Sequence, residues 1–340
     1  MTSPSALRRL DREGGPLTIG IDLPLDNDLT PHGGAANRTN GVPDLTGHAE
    51  KAALADRLGF AALWVRDVPL YDPVRFGDAG TVFETFTHLG HLAATTRDVV
   101  LGTAAVVLPL RAPLLTAKAA ATVDALSGGR FVLGVASGDR PVEYPMFGLD
   151  FDRRGAAFRD AVLTLRSAWA TPPAGQGVAV PSLDLSEQLQ LDVLPKPAGG
   201  TVPIVVAGRA QQTVEWVADH ADGWFNYPRD LAGLAAQMGQ WRRLTLERGR
   251  RLPYLMPMML DLSEDPRTRA TPIFHGIRAG RHELLDHLHR LDELGVSHLS
   301  LSLRCSTRPV EEVLHELAET VLPDFPSQPA APALGHATAG

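Results

Sequence analysis

Residues 113–136 read PLLTAKAAATVDALSGGRFVLGVA and contain one complete helix–turn–strand unit. We expect a helix to start after Pro113. We expect this helix to bury a single stripe of residues, namely Leu115, Ala119, Thr122 and Leu126. A Ser-Gly-Gly-Arg turn follows, and Phe131–Ala136 is an apolar run of strand length. The segment therefore predicts an α-helix that leads directly into a buried strand.

The same alternation of strand and helix extends in both directions from this unit. The predicted strands are residues 17–25, 61–66, 99–108, 131–136, 203–207, 223–227, part of 254–262, and 299–304. Four predicted helices are residues 44–59, 82–96, 211–221 and 230–249, and a fifth is the helix that starts after Pro113. The other three are defined by their inward residues, which are Phe158, Val162, Leu165 and Trp169 in one and Leu284, Leu285, Leu288 and Leu291 in the next. The last helix is capped by Thr307 and buries Val310, Leu314, Leu317 and Val321. Eight strand–helix pairs in this order predict an α/β fold, a (β/α)8 TIM barrel with short insertions. A doubly wound sheet is the alternative.

Two segments interrupt the alternation. Residues 171–200 are rich in Pro and Gly, and a short hairpin at residues 181–191 would fit them. Residues 264–280 read as a long polar loop, which we interpret as a lid that is mobile without ligand, with a passive surface connection as the alternative. The predicted organisation is an N-terminal extension (residues 1–16), the barrel (17–323) and a flexible C-terminal tail (324–340).

Composition excludes several classes of protein. Of the 340 residues, 44% are hydrophobic and 21% charged, as in ordinary globular proteins. The net charge is −7 and no basic stripe is present, which argues against nucleic acid as a partner. No run of 18 apolar residues predicts a membrane span. The single cysteine, Cys305, and the lack of a secretory signal predict a cytoplasmic protein.

Familiar catalytic motifs are incomplete. The Gly-Val-Ala-Ser-Gly segment that ends at Gly138 lacks the order of a hydrolase nucleophile elbow. The spacing from His282 to His287 is one residue too long for a zinc helix, so we expect no metal site. No dinucleotide fingerprint surrounds Gly175 and Gly177. Nothing in the sequence activates Cys305, which we interpret as a packing residue. Redox chemistry would therefore use another cofactor.

One segment at the C-terminal end of a strand is suited to an anion. Active sites of β/α barrels lie at these strand ends. Residues 207–211 read AGRAQ and lead into the predicted fifth helix. Free amides at a helix N-terminus bind phosphate, Gly208 permits a close approach, and Arg209 would add a charged donor. An ordinary strand–helix turn is the alternative.

Three further segments carry a family resemblance. Residues 101–113 (LGTAAVVLPLRAP), 121–138 (ATVDALSGGRFVLGVASG) and 146–148 (MFG) resemble the luciferase-like monooxygenase family. Residues 205–208 (VVAG), with Glu215 and Trp216 nearby, are similar to the family's phosphate segment. The resemblance implies a barrel that holds FMN, or a deazaflavin coenzyme in some branches. It also implies cofactor-binding residues: a cis peptide between Ala104 and Ala105, Ser137 and Gly138, Arg154 near the phosphate, and the turn of Gly208, Arg209 and Ala210.

The chain departs from luciferase after the second strand. Where luciferase has a His-His pair, this chain has Arg66 and Asp67, so light emission is not expected. We interpret Arg66 and Asp67 as catalytic candidates and favour Asp67 as the residue facing the cofactor, with a structural ion pair as the alternative.

The resemblance implies an FMN-dependent monooxygenase. Such an enzyme would use reduced flavin, supplied by a separate reductase, and O2 to oxidise a small organic substrate. A deazaflavin-dependent hydride-transfer enzyme and a non-catalytic flavin-binding protein are the alternatives. The resemblance also implies a homodimer.

Overall fold

Eight parallel strands close into a barrel in the computed structural model, which describes residues 5–11, 15–29, 40–181, 183 and 186–327. Its strands are β1 (Thr18–Asp22), β2 (Ala62–Val65), β3 (Val100–Thr103), β5 (Phe131–Ala136), β6 (Ile204–Ala207), β7 (Gly223–Phe225), β8 (Tyr254–Leu262) and β11 (His298–Ser302). Pairing of β11 with both β8 and β1 closes the barrel. The short β4 (Val106–Val107) follows β3 and pairs with β5. The predicted TIM barrel is confirmed.

Ten α-helices are described, and all except α1 follow strands of the barrel. They are α1 (Ser5–Leu10), α2 (His48–Arg57), α3 (Thr85–Thr95), α4 (Pro113–Leu126), α5 (Glu143–Met146), α6 (Arg154–Trp169), α7 (Val214–His220), α8 (Leu231–Glu247), α9 (Arg281–Leu294) and α10 (Val310–Thr320). The predicted inward faces of α6 and α10 are confirmed. On α9, Leu285 is only partly buried, whereas the other three predicted leucines are fully buried. Thr307 is not a helix cap, because α10 begins after Pro309.

The predicted buried stripe of α4 is wrong. Leu115 is 69% exposed and Leu126 64% exposed. The buried face is instead made of small side chains, including Ala117 and Ala120. Trp169 of α6 donates a hydrogen bond to the Ala117 carbonyl over 3.0 Å. Small residues allow this close helix–helix approach, so packing rather than hydrophobicity selects the inward face.

The two insertions contain regular structure. Residues 264–280 are not simply a loop, because β9 (Thr271–Ile273) and β10 (Gly276–Ala279) form an antiparallel hairpin. The long β8 extends beyond the barrel and pairs with β10, which fixes one arm of the hairpin. In the other insertion, Val180 and Leu183 form an isolated bridge and a short 3-10 helix covers Ser186–Leu189, while residues 182, 184 and 185 of the predicted hairpin lie outside the described residues.

The N-terminal half of the barrel interior is filled. The helix α1, within the predicted extension, buries Ala6, Leu7 and Leu10 against interior strand residues. Trp64 lies above this helix, and a Cβ atom at Gly102 would come within 2.3 Å of the Trp64 ring. The indole N–H group of Trp64 donates to Nε2 of a buried histidine on β11 over 2.9 Å. A large opening lies at the other end of the barrel, at the C-terminal strand ends.

A buried ion network fixes the loops at that open end. Arg304, after β11, is 1% exposed and binds Asp28, in the loop after β1, and Asp78, in the loop after β2. Arg66 forms an ion pair with the other oxygen of Asp78. Although burial opposes ionisation, Arg66 and Arg304 hold the pKa of Asp78 well below its usual range. The network therefore joins three loops in one arrangement.

A pair of buried histidines joins α2 to α3. The Nε2 atoms of His48 and His88 lie 2.7 Å apart, so one donates to the other and the accepting Nε2 carries no proton. Burial lowers the pKa of His48 to about 4, and burial together with His48 lowers the pKa of His88 to about 3. The folded state therefore favours the neutral form of both imidazoles.

Replacing Arg304 should strongly destabilise the protein. Arg304→Met leaves the buried Asp28 without its cation and Asp78 with Arg66 alone, and breaking a buried ion pair in this way costs about 3–5 kcal/mol. Arg75→Met is the control, because Arg75 forms an exposed ion pair with Asp72 and such pairs contribute about 0–1 kcal/mol. Reversible urea unfolding measures both. Equal free energies of unfolding for the two variants would show that the network is not structural.

Acid should destabilise the protein through the histidine pair. The folded pKa values lie below the ordinary value of 6.5, so the unfolded chain binds more protons between pH 6.5 and about 3. The stabilisation is complete above pH 6.5 and is lost as the pH falls through this window. On acidification, the melting temperature of the double variant His48→Leu/His88→Leu should fall by less than that of the wild type. The melting temperature of the exposed control His282→Gln should fall by as much as that of the wild type. An unchanged pH dependence in the double variant would contradict this assignment.

Candidate active site

A single large cavity opens at the C-terminal ends of the strands in the described chain. Its volume is about 730 Å³, within the range of small-molecule and cofactor sites. Residues from the ends of all eight barrel strands or the loops after them border it. This is the end of a β/α barrel at which active sites are found.

The β3 and β5 ends form one wall of the cavity. The Ala104–Ala105 peptide bond is cis, as predicted. Ala104, Ala105, Ser137 and Gly138 all border the cavity. Gly138 has a φ of 77°, and a Cβ atom there would lie 2.8 Å from a methyl group of Val107. The structure thus brings four of the predicted cofactor residues together.

The predicted phosphate turn differs from a helix N-terminus. The helix α7 begins only at Val214 and is capped by Thr213, so residues 208–211 form a separate turn. Gly208 and Ala210 border the cavity, as does Gln211, which the sequence reasoning missed. Arg209 is exposed and does not border it. The helix starts late because Gly208, Ala210 and Gln211 adopt left-handed φ values of 60°, 48° and 62°.

This turn has unused hydrogen-bond donors. Within the described ranges, the backbone N–H groups of Arg209, Ala210 and Gln211 donate to no protein atom, whereas the Gly208 N–H group donates to the Phe225 carbonyl over 2.8 Å. Successive free amides in a turn form a concave anion-binding site. The turn is therefore suited to a phosphate group.

Arg154 lies in the first turn of α6, which packs on this phosphate turn. A Cβ atom at Gly155 would come within 2.9 Å of the Gln211 side chain, and the Gln212 amide donates to the Gly155 carbonyl over 2.8 Å. The Arg154 guanidinium lies 3.6 Å above the Phe151 ring. Its buried Nε atom has no hydrogen-bond partner among the described residues. Arg154 does not border the cavity itself but has a donor available beside the phosphate turn.

Both catalytic candidates after β2 form ion pairs. Arg66 pairs with Asp78 in the buried network. The Asp67 carboxylate accepts hydrogen bonds from the Val107 amide (3.0 Å) and from the Arg111 guanidinium (2.7 and 3.0 Å). Both residues border the cavity. Their charged groups form structural ion pairs, which the sequence analysis gave as the alternative to a catalytic role.

The preference for Asp67 as the residue that faces the cofactor is not decided by this arrangement. Arg66 and Asp67 both border the cavity just beyond the end of β2. The Asp67 carboxylate is paired with Arg111. A catalytic role for either residue stays a prediction.

The sequence analysis missed several groups that border the cavity. Asp22, at the end of β1, is 9% exposed, and burial raises its pKa. Arg140 lies 4.6 Å above the Phe76 ring and 3.9 Å from Glu143. Burial also raises the pKa of Glu143. A polar residue at the end of an apolar strand was the available signal for Asp22.

The β9–β10 hairpin covers part of the opening. Its tip residues Phe274 and His275 border the cavity, and His275 stacks on Tyr227 with the ring centroids 4.9 Å apart. These aromatic side chains shield the cavity from solvent on the β8 side. Whether the hairpin moves on ligand binding stays a prediction.

Nucleophilic and metal chemistry find little support at this site. Cys305 borders the cavity, but burial raises the pKa of its thiol, and its Sγ atom lies 3.4 Å from the Met259 sulfur. No cluster of three or more metal-ligating side chains occurs in the described part of the chain.

None of the helices there has the length and apolar character that crossing a membrane requires.

The arrangement separates two kinds of binding surface. The turn at residues 208–211, with Arg154 behind it, presents hydrogen-bond donors suited to an anion. The walls at Ala104, Ala105 and Gly138 have small side chains and leave room for a flat ring. A phosphorylated planar cofactor therefore fits the residues present.

Solved structures of similar proteins support the TIM-barrel fold. One is the monooxygenase RslO1 from Streptomyces bottropensis, with a TM-score of 0.74 and 19% identity, covering 91% of this chain and 100% of that one. Another is an F420-dependent secondary alcohol dehydrogenase in complex with an F420-acetone adduct, with a TM-score of 0.71 and 16% identity, covering 92% of this chain and 99% of that one. A third is the oxygenating constituent of 3,6-diketocamphane monooxygenase from Pseudomonas putida, in complex with FMN. Its TM-score is 0.63 at 12% identity, and the match covers 92% of this chain and 100% of that one.

A curated relative is the phthiodiolone/phenolphthiodiolone dimycocerosates ketoreductase of Mycobacterium sp. (strain JLS), which is 32% identical over 146 residues. That match covers 42% of this chain and only 38% of the relative's length. The model of the luciferase-like monooxygenase family matches residues 19–292, which include most of the barrel and most of the residues that border the cavity. The chain belongs to the luciferase-like monooxygenase family.

Proposed function

We propose that this protein is an FMN-dependent monooxygenase that oxidises a small organic substrate with O2. The observation that carries the proposal is the turn at residues 208–211, which has three free amides and is contacted by the first turn of α6, where Arg154 lies. FMN ends in a phosphate that such donors would bind. When bound, reduced flavin would supply the electrons for oxygen activation.

The chain's own residues would bind the cofactor, place the substrate and exclude water. The small side chains at Ala104 and Ala105 would contact one face of the ring, and Ser137 and Gly138 would border its edge. Phe274, His275 and Tyr227 would limit the access of water to the reacting centre.

A deazaflavin-dependent hydride transfer is the second candidate. The names of two similar proteins, a ketoreductase and an F420-dependent alcohol dehydrogenase, favour it. Such an enzyme would use the same cavity and the same phosphate turn but would not need O2.

The wider setting is part of the proposal. We expect a separate reductase to supply reduced flavin, a cytoplasmic location and a homodimer. The exposed Leu115 and Leu126 of α4 provide an apolar surface for a dimer. None of these expectations decides between the two cofactors.

Removing Arg154 should weaken FMN binding without affecting riboflavin. Arg154→Gln removes the guanidinium, and a hydrogen bond to a charged group contributes about 1.5–3 kcal/mol, or roughly 10- to 150-fold in affinity. Riboflavin has no phosphate and should bind both proteins equally. Arg153→Gln is the matched control, because Arg153 is the exposed neighbour. Fluorescence titration measures each affinity. Equal losses for both flavins would place the phosphate elsewhere.

Isotope-labelled O2 tests the reaction. With reduced FMN, the protein and a panel of small ketones and aldehydes, one labelled oxygen atom should enter the product, as mass spectrometry would show. A panel product without label, formed anaerobically from reduced F420, would favour the deazaflavin candidate. Flavin binding without any substrate conversion would leave only a flavin-binding role.

A further inference from the structure

Asp22 is a buried carboxyl group with one free oxygen on the cavity. It ends β1, and one of its oxygens accepts a hydrogen bond from the Ser300 hydroxyl on the neighbouring β11. Among the described residues, its second oxygen has no hydrogen-bond partner. Asp22 borders the cavity just above the layer that Trp64 fills. Any ligand that reaches this depth would meet the free oxygen.

The charged groups that face Asp22 are occupied elsewhere. Arg66, from the end of β2, and Arg304, from the end of β11, attract its negative charge, but neither forms an ion pair with it in the described chain. Both are bound to Asp78, and Arg304 also to Asp28. Tyr227, after the end of β7, also interacts with Asp22.

We propose that Asp22, oriented by Ser300, is the hydrogen-bonding site for the carbonyl oxygen of a neutral ketone substrate. The proposal rests on the proposed function, because it assigns the substrate class to the same cavity. The protonated carboxyl donates from its second oxygen to the carbonyl. A carboxylate group is disfavoured at this position, because Arg66 and Arg304 are paired with other carboxylates and Asp22 itself would repel it when ionised.

Two features support a neutral ligand with one polar atom. Apolar residues border the cavity near this position, among them Phe225, Pro257 and Met259. Burial raises the pKa of Asp22, which favours the acid form that can donate, while Ser300 opposes this by donating to the ionised form. A carboxyl donor beside these apolar side chains fits the polar oxygen and the apolar substituents of a ketone.

Acetophenone binding tests the site directly. The flavin-free and the FMN-loaded protein are each titrated with acetophenone across pH, and infrared spectroscopy follows the probe's carbonyl stretch. In the wild type, the stretch should move to lower frequency, and affinity should fall by roughly tenfold as Asp22 ionises. Asp22→Asn should remove the pH dependence, and Asp22→Leu should remove the frequency shift. Asp160→Asn, an exposed carboxylate on α6, is the control for the loss of one charge.

Ser300→Ala separates a positioning role from a merely structural one. Losing the hydroxyl removes a donor that stabilises the ionised carboxylate, so the midpoint of the pH dependence should move to higher pH. An unshifted midpoint, a carbonyl stretch in Asp22→Leu identical to the wild type, or no acetophenone binding by the wild type would each overturn the proposal. Because the flavin-free protein is also tested, failure to bind FMN would count against the proposed function and not against this site.

Discussion

The buried guanidinium of Arg304 is the interaction on which the open end of this barrel depends. A charge removed from water must be paired, and Asp28 and Asp78 provide the pairing from two different loops. The loops after β1, β2 and β11 are thereby held in one arrangement before any ligand arrives. The same network occupies the arginines closest to Asp22, which leaves that carboxyl available to the cavity. A structural ion network thus determines which polar group a ligand can meet.

The barrel interior is divided into a packed lower half and an open upper half. Trp64, with Gly102 opposite its ring, fills the space above α1. Above this layer the cavity begins. The phosphate turn lies at the rim of the cavity and Asp22 at its base, so a bound flavin and a substrate would occupy different depths of one pocket.

The sequence predicted those features that depend on local pattern or on resemblance. The predicted ends of the strand Phe131–Ala136 agree with the structure, because a turn precedes its apolar run and a loop follows it. The cis peptide at Ala104–Ala105 followed from the family resemblance. The inward face of α4 could not be predicted, since its leucine and alanine stripes both have helical spacing and only packing against α6 selects one. Asp22 and Ser300 are 278 residues apart, and no local pattern connects them.

The most direct measurement of the central claim is an equilibrium titration of the flavin-free protein with FMN, riboflavin and F420, read by fluorescence and by melting temperature. The account predicts that FMN binds more tightly than riboflavin, because only FMN brings a phosphate to the turn at residues 208–211. It also predicts that FMN at about 100 times its dissociation constant raises stability by about 2.7 kcal/mol. Equal affinity for FMN and riboflavin, or binding of F420 alone, would contradict it.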